Sequence, residues 1–158
     1  MSIINQLDRQ SRQNYRFIAN EFDKLNIWIV SVNLPGVDLP EVKVPGRMGT
    51  FSAPGDRMTF SPLTLEYNVD EGIGTYLEIF KWMHGTVNPA DLDGDLTKTT
   101  TANLFINSNK NNILTIIRFF DLHPTQLSDL QLDNRDTAVF VGTVTFSYSY
   151  FEIAQEPL

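Results

Sequence analysis

The segment with the most apparent chemistry is Asp91-Leu92-Asp93-Gly94-Asp95, whose alternating carboxylates resemble the opening of a calcium loop. Such a loop needs glycine at its sixth position for a sharp turn and a bidentate glutamate at its twelfth. Here those positions hold Leu96 and Ala102, so the segment reads as a solvated acidic loop. The two histidines are His84, at the expected end of a helix where the macrodipole favours a cation, and His123, in a turn before Pro124. Neither stands in a catalytic spacing. No G-x-S-x-G elbow, H-E-x-x-H helix, phosphate-cradling glycine loop or dinucleotide fingerprint is present. Acidic pairs such as Asp70 with Glu71 are ordinary on surfaces and give no sign of converging across a cleft. The chain has no cysteine, which removes disulfides, thiolate nucleophiles and sulfur-based zinc sites together. The expectation is a non-enzymatic protein with no catalytic, cofactor-binding or metal-ligating residue and no cofactor.

The formal net charge of -7 argues against general nucleic-acid binding, which depends on Lys and Arg neutralising phosphates. Moderate negative charge keeps a protein soluble, and an acidic surface would also let DNA pass without sticking. Aromatics make up 11% of the chain, and without a basic groove they read as core rather than as a stacking platform for single strands. At 158 residues, 42% hydrophobic and 20% charged, the chain is sized for one domain over residues 1–158. No apolar run approaches the roughly 20 residues of a membrane helix. The polar stretch Met1 to Asn14 lacks the core of a signal peptide, so synthesis in the cytoplasm is expected. Within it, Ile3, Ile4 and Leu7 suit a short docking segment or a flexible terminus.

The elements that would position any surface are mostly strands. From Phe22, Leu25, Ile27, Ile29 and Ser31 alternate with Asn26, Trp28, Val30 and Val32, which suggests a strand buried on both sides, ended by Asn33-Leu34-Pro35-Gly36. Asp38 to Thr59 holds Pro40, Pro45 and Pro54 with several glycines and reads as a short extended stretch followed by a long loop or irregular hairpin. Leu63, Leu65, Tyr67 and Val69 alternate with Thr64, Glu66 and Asn68, a strand with one buried and one wet face. Ile73, Tyr76, Leu77, Phe80 and Met83 recur at helical spacing and predict one helix that packs by this stripe and ends at Gly85. Thr86 to Asn103 reads as a loop. Ile113 to Phe120 is almost continuously apolar apart from Arg118, as in a strand buried on both faces or lying in an interface, and Asp121 to Asn134 reads as turns around Pro124. In the last strand Phe140, Gly142, Val144, Phe146, Tyr148 and Tyr150 share one face, with Val141, Thr143, Thr145, Ser147 and Ser149 on the other. The fold class is mainly β: an antiparallel β-sandwich or partly closed barrel with one packed α-helix.

Several of these segments, in order, resemble the tail-tube proteins of contractile-tailed phages and the relatives that initiate or cap the tube. The matching pieces are Asn33-Leu34-Pro35-Gly36 after the first strand and Ala53-Pro54-Gly55-Asp56-Arg57-Met58-Thr59-Phe60. Then come Leu63-Thr64-Leu65 leading to Val69-Asp70-Glu71, the helix Tyr76 to Trp82, and Pro124-Thr125 before a last strand ending Tyr148-Ser149-Tyr150-Phe151. The match runs from Phe22 to Phe151 and does not extend to the first 14 residues or to Thr86 to Asn112.

The resemblance implies six-membered rings in which strands of each subunit join one inner barrel, the rings stacking into a tube inside a sheath. The implied role is the inner tube of a contractile tail, a conduit for DNA, in the virion tail. A tube initiator or cap of the same fold is the alternative, and a monomeric β-sandwich binding module is the rival of another class. The implied partners are further copies of the chain, the tail sheath and baseplate or tube-terminator proteins, with no specific DNA contact and no membrane in the resting state. Within that frame Thr143, Thr145, Ser147 and Ser149 are expected to line the lumen, and Arg47, Asp56 and Arg57 to contact the neighbouring ring, arginine being suited to bidentate pairing.

Overall fold

Alternating side chains build the two clearest strands, β7 (Leu63–Asn68) and β10 (Val141–Ser147), of this computed structural model, which describes residues 14–87, 98–132 and 139–155. They pair antiparallel with Leu63 opposite Phe146, Leu65 opposite Val144 and Tyr67 opposite Gly142, so one face of the pair is wholly buried. β2 (Ile29–Asn33) lies along the other edge of β7. β9 (Ile113–Leu127) pairs β10 through its second half and β8 (Thr100–Asn107) and β11 (Tyr150–Gln155) through its first. β1 (Tyr15–Ala19) lies outside β8. The path is therefore β1-β8-β9-β10-β7-β2, with β11 on the remaining edge of β9. Asp121, at a left-handed φ of 55°, stands where β9 changes partners.

Because β9 serves both halves, the path folds over on itself as a sandwich. Phe17, Ala102, Leu104, Ile117 and Phe119 from one half form a single core with Leu63, Leu65, Tyr67, Val144 and Phe146 from the other. The ends of the path are not laddered together. β1 and β2 are joined by the Tyr15 hydroxyl, which donates to the Val30 carbonyl at 2.7 Å, so the barrel is open. Open strand edges invite pairing with another chain.

Among the described residues two α-helices cross this sandwich where the sequence predicts one. α1 (Asp23–Trp28) and α2 (Gly74–Val87) pack on each other, and Phe22 ties them to the sheet, its ring centroid 5.8 Å from both Trp82 and Phe146. The Glu78 carboxylate of α2 accepts from the backbone N–H groups of Lys24 (3.3 Å) and Leu25 (3.1 Å), which a helix's first turn leaves without partners. Asp70 does the same for α2, accepting from Thr75 N–H at 2.6 Å and the Thr75 hydroxyl at 3.0 Å.

That capping makes a pH prediction. The Thr75 N–H holds the Asp70 carboxyl below its ordinary value of 3.8, helped by the Thr75 hydroxyl and Lys24. A carboxylate with a depressed folded-state pKa contributes stability that is fully present above the unfolded value and is lost as pH falls through the folded one. Thermal melts from pH 7 downward are expected to show Asp70→Asn lowering the midpoint at neutral pH. The gap to wild type closes below pH 3.8, as the wild-type carboxyl is protonated. A constant gap across the series rules the capping role out.

Several sequence expectations change. The strand expected from Phe22 is a helical turn over Asp23–Trp28, because Phe22 and Leu25, three apart, are buried together and the Asn26 amide clamps both backbone groups of Ala19 at 2.8 Å. The strand that follows is half-buried at most rather than buried on both sides. The expected loop up to Asn103 contains the start of β8, whose Thr100, Ala102 and Leu104 are buried in alternation. β9 runs through Pro124 instead of turning, buries Ile117 and Phe119 on one face and exposes Arg118 on the other. The last strand breaks at Tyr148 and Ser149 into β10 and β11. α2 runs past Gly85 to Val87. The acidic segment 91–95, the Ile3-Ile4-Leu7 segment and residues 133–138 lie outside the described residues.

Candidate assembly surfaces

The outer face of the β2-β7-β10 layer, continued by the end of β9, is a sheet of hydroxyls and amides. Register places Thr143 beside Glu66 and Thr145 beside Thr64 and Gln126. Ser147 stands beside His123, while Ser31 and Asn33 extend the row past Glu66 and Thr64. Ser31 donates to Glu66 at 2.7 Å, and the Thr125 hydroxyl donates to the Thr145 carbonyl at 3.1 Å. Thr143, Thr145 and Ser147 are half-buried and point away from the core formed by Val144 and Phe146. Ser149 does not continue this row. It lies in the bend between β10 and β11, where its N–H donates to the Phe120 carbonyl at 3.0 Å. Alternation in β7 and β10 signalled each strand's wet face. Only the pairing register joins them, and it adds Ser31, Asn33, Gln126 and His123, which no local pattern marks.

A second surface is an arm outside the sandwich. β4 (Glu41–Gly46) and β5 (Gly49–Pro54) form a hairpin in which nearly every residue is exposed, above a short ladder of β3 (Val37–Asp38) with β6 (Thr59–Phe60). The Gly55 N–H donates to the Pro40 carbonyl at 2.8 Å and closes the base. A Cβ on Gly55 would lie 2.5 Å from that oxygen, so the closure requires glycine. Arg47 sits in the turn at the tip, whereas Asp56 and Arg57 sit beyond the base; all three are exposed, and the hairpin's length separates them.

The third surface is apolar. α2 buries Thr75, Ile79 and Trp82, while Ile73, Leu77 and Phe80 are exposed. The stripe expected to face the core thus largely faces outward, because Trp82 packs on the buried Phe22 ring and its indole N–H donates to Glu21 at 3.1 Å. An apolar period marks a covered face, whatever covers it.

The carboxylates that could serve chemistry have structural partners: Asp70 caps α2, Glu78 caps α1, Glu21 accepts from Trp82, and Glu66 and Glu41 accept from Ser31 and Ser52. His84 stacks on Phe80, and His123 Nδ1 lies 3.1 Å from the Asp121 carbonyl. Among the described residues no group of three or more such side chains is placed to hold a metal ion.

An open antiparallel sandwich carrying an outward helix and a projecting hairpin is the tail-tube fold, as structural comparison establishes. The chain superposes on a chain of the PVC sheath–tube complex, an extracellular contractile injection system in its extended state. The TM-score is 0.70 over 99% of both chains, at 17% identity. It also matches a chain of the PVC sheath/tube terminator structure at TM-score 0.70, covering 94% of this chain and 99% of that one, again at 17% identity. In sequence it is 28% identical over 137 residues to the tail tube terminator protein of Enterobacteria phage T4, covering 80% of this chain and 76% of that protein. No family model matches the chain. The resemblance to the tail-tube proteins of contractile tails and their capping relatives holds.

Proposed function

We propose that this chain is a tube terminator, the subunit of a ring that closes the end of a contractile tail's inner tube. The observation that carries this reading is the similarity to the phage T4 tail tube terminator along most of both chains. It favours the capping alternative over the reading as the stacking tube subunit. The ring is six-membered, sits in the virion tail after synthesis in the host cytoplasm, and touches the tube on one side and the tail sheath around it. DNA passes through its lumen without specific contact, and the subunit catalyses nothing.

The physical support is the surface. The arm exposes Val42, Val44, Met48 and Phe51, and α2 exposes Leu77 and Phe80, apolar surface of the kind that marks an interaction site. The free edges of β2 and β11 are paired when subunits join. In this reading the face of Thr143, Thr145 and Ser147, with Glu66 beside Thr143, lines the lumen, where hydroxyls and a carboxylate give DNA little to bind, and the arm with Arg47 at its tip, together with Asp56 and Arg57 beyond its base, reaches the neighbouring subunit or ring.

Negative-stain microscopy with light scattering across a concentration series tests the proposal. Rings of one discrete mass that do not lengthen with concentration are expected. Tubes of indefinite length overturn the terminator reading in favour of the stacking tube subunit. A monomer at every concentration overturns ring formation and favours the binding-module reading.

A further inference from the structure

The backbone just before α2 is strained. A single 3-10 turn, Glu71–Ile73, abuts the helix at Gly74, and two left-handed residues keep the two from being one: Gly72 at φ 80° and Ile73 at φ 54°. Glycine takes such a φ freely, but a β-branched residue there is an outlier, disfavoured about tenfold. The other described non-glycine residues with positive φ, Asn111 and Asp121, are of the types that tolerate it. Ile73 is 39% exposed, so core burial offsets little of the cost.

What holds the kink is polar. Asp70 Oδ1 accepts from the Thr75 N–H and hydroxyl, and Lys24 Nζ of α1 stands 4.0 Å from Asp70 Oδ2. The Ile73 N–H donates to the Asp70 carbonyl at 3.0 Å. Gly74 makes room for the cluster, since a Cβ there would lie 2.5 Å from both Asp70 Oδ2 and Lys24 Nζ.

The same residues are set for a second arrangement. Asp70, at φ -73° and ψ 165°, already has the extended backbone of an N-cap, and Gly74 is already right-handed helical. With Gly72 and Ile73 in that conformation too, residues 71–87 form one helix. Asp70 is then its N-cap, a position aspartate favours, with the Gly72 and Ile73 N–H groups at the second and third helical positions for its carboxylate to accept. The helix lengthens by about 4.5 Å, and Ile73 comes onto the face of Leu77, four residues on. A Cβ on Gly72 would meet nothing within 4 Å, so the turn has open space around it. The kinked form carries the strain at Ile73 but keeps the Thr75 bonds to a charged acceptor, each worth about tenfold or more. The continuous form loses the hydroxyl bond and sets Gly72 inside a helix, which costs about fivefold. The kink therefore leads by about ten- to a hundredfold, a margin that modest contacts reverse.

We infer that the turn from Asp70 to Gly74 is a two-state joint, in which Asp70 transfers its cap from Thr75 to Gly72 and Ile73 and α2 lengthens by one turn. The joint belongs to the chain itself and does not rest on ring formation. A contact on Leu77 that also takes in Ile73 favours the continuous form, and that form releases Lys24 of α1 from Asp70, so the outward face of α2 and the α1–α2 cap are coupled.

The test is by nuclear magnetic resonance on the deuterated full chain, reading Cα shifts and amide relaxation dispersion at residues 71–75. In the wild type, left-handed shifts at Ile73 are expected with exchange to a minor form at about 1–10%. Gly72→Ala disfavours the kink through φ, and Gly74→Ala does so by pushing Asp70 and Lys24 away. Each is expected to raise the continuous form about tenfold, with helical shifts over residues 71–73. Ile73→Gly removes the strain and is expected to abolish the exchange. Left-handed shifts retained in both alanine variants overturn the inference and leave a fixed, strained turn. Should an alanine variant not fold, the wild-type dispersion decides: helical minor-form shifts support the joint, and non-helical shifts or no exchange overturn it.

Discussion

Phe22→Ala is expected to cost about 3–5 kcal/mol, the range for truncating a buried phenylalanine. The cost is at the upper end because the ring is fully buried and touches three elements at once: it precedes α1, packs on Trp82 of α2 and meets Phe146 of β10 edge-on. The cavity has little means of collapsing, since Glu78 and Asp70 hold both helix starts in place. Against a total stability of about 5–15 kcal/mol for a domain, this is a large share, and it lowers the melting midpoint by roughly 10 °C or more. Chemical denaturation with fluorescence of the two tryptophans measures it directly. A loss under about 1 kcal/mol would mean that the helices do not depend on this ring. Loosening α2 from the sheet also displaces the outward stripe of Leu77 and Phe80.

Gly142→Ala is expected to destabilise by about 2–3 kcal/mol, as overpacking a closed core does. A Cβ at this position would lie 2.5 Å from Tyr67 Cζ, 2.7 Å from Oη and 2.9 Å from Cε2. Tyr67 is fully buried opposite Gly142 in the β7–β10 ladder, and burial pushes its phenol up to about 12, with Tyr76 adding to the shift. Its hydroxyl has no hydrogen-bond partner among the described residues. Tyr67→Phe alone is therefore expected to be neutral or stabilising, because it deletes an unpaired buried donor. Combined with Gly142→Ala it relieves only the hydroxyl contact and leaves the ring carbons in place. Tyr67→Leu is expected to restore most of the loss in Gly142→Ala, which a double-mutant cycle reads as a coupling energy of about 1 kcal/mol or more. Additive losses would show that the strand shifts to admit the methyl group.

Both predictions touch β10, and the second lies wholly within the two strands whose pattern is plainest in the sequence. The period of two in Leu63-Leu65-Tyr67 and in Gly142-Val144-Phe146 determined which faces are buried, because a strand between two paired neighbours has no other way to present its side chains. The hydroxyl row Thr143-Thr145-Ser147 follows from the same alternation, as does the exposure of the arm from its prolines and glycines. Composition likewise determined the lack of thiol chemistry and the acidic balance.

What only the tertiary structure decided concerns partners. The period of α2 showed an apolar stripe, but a stripe carries no record of what it faces; Trp82 packs on Phe22 and is buried with Ile79 in the core, which leaves Leu77 and Phe80 outward. β8 was hidden because Thr100, Ala102 and Asn103 are small or polar, and it is held as a strand by having β1 on one edge and β9 on the other. The helical turn at Asp23–Trp28 depends on the Asn26 clamp and on Glu78, 53 residues from Leu25 in sequence. Ser149 left the hydroxyl row for the same kind of reason, drawn to the Phe120 carbonyl where β11 begins. Local alternation is a property of neighbouring residues, so the chain states it outright. Which face meets which, and which is left for another molecule, depends on contacts between residues far apart, and those exist only once the sheet has folded over.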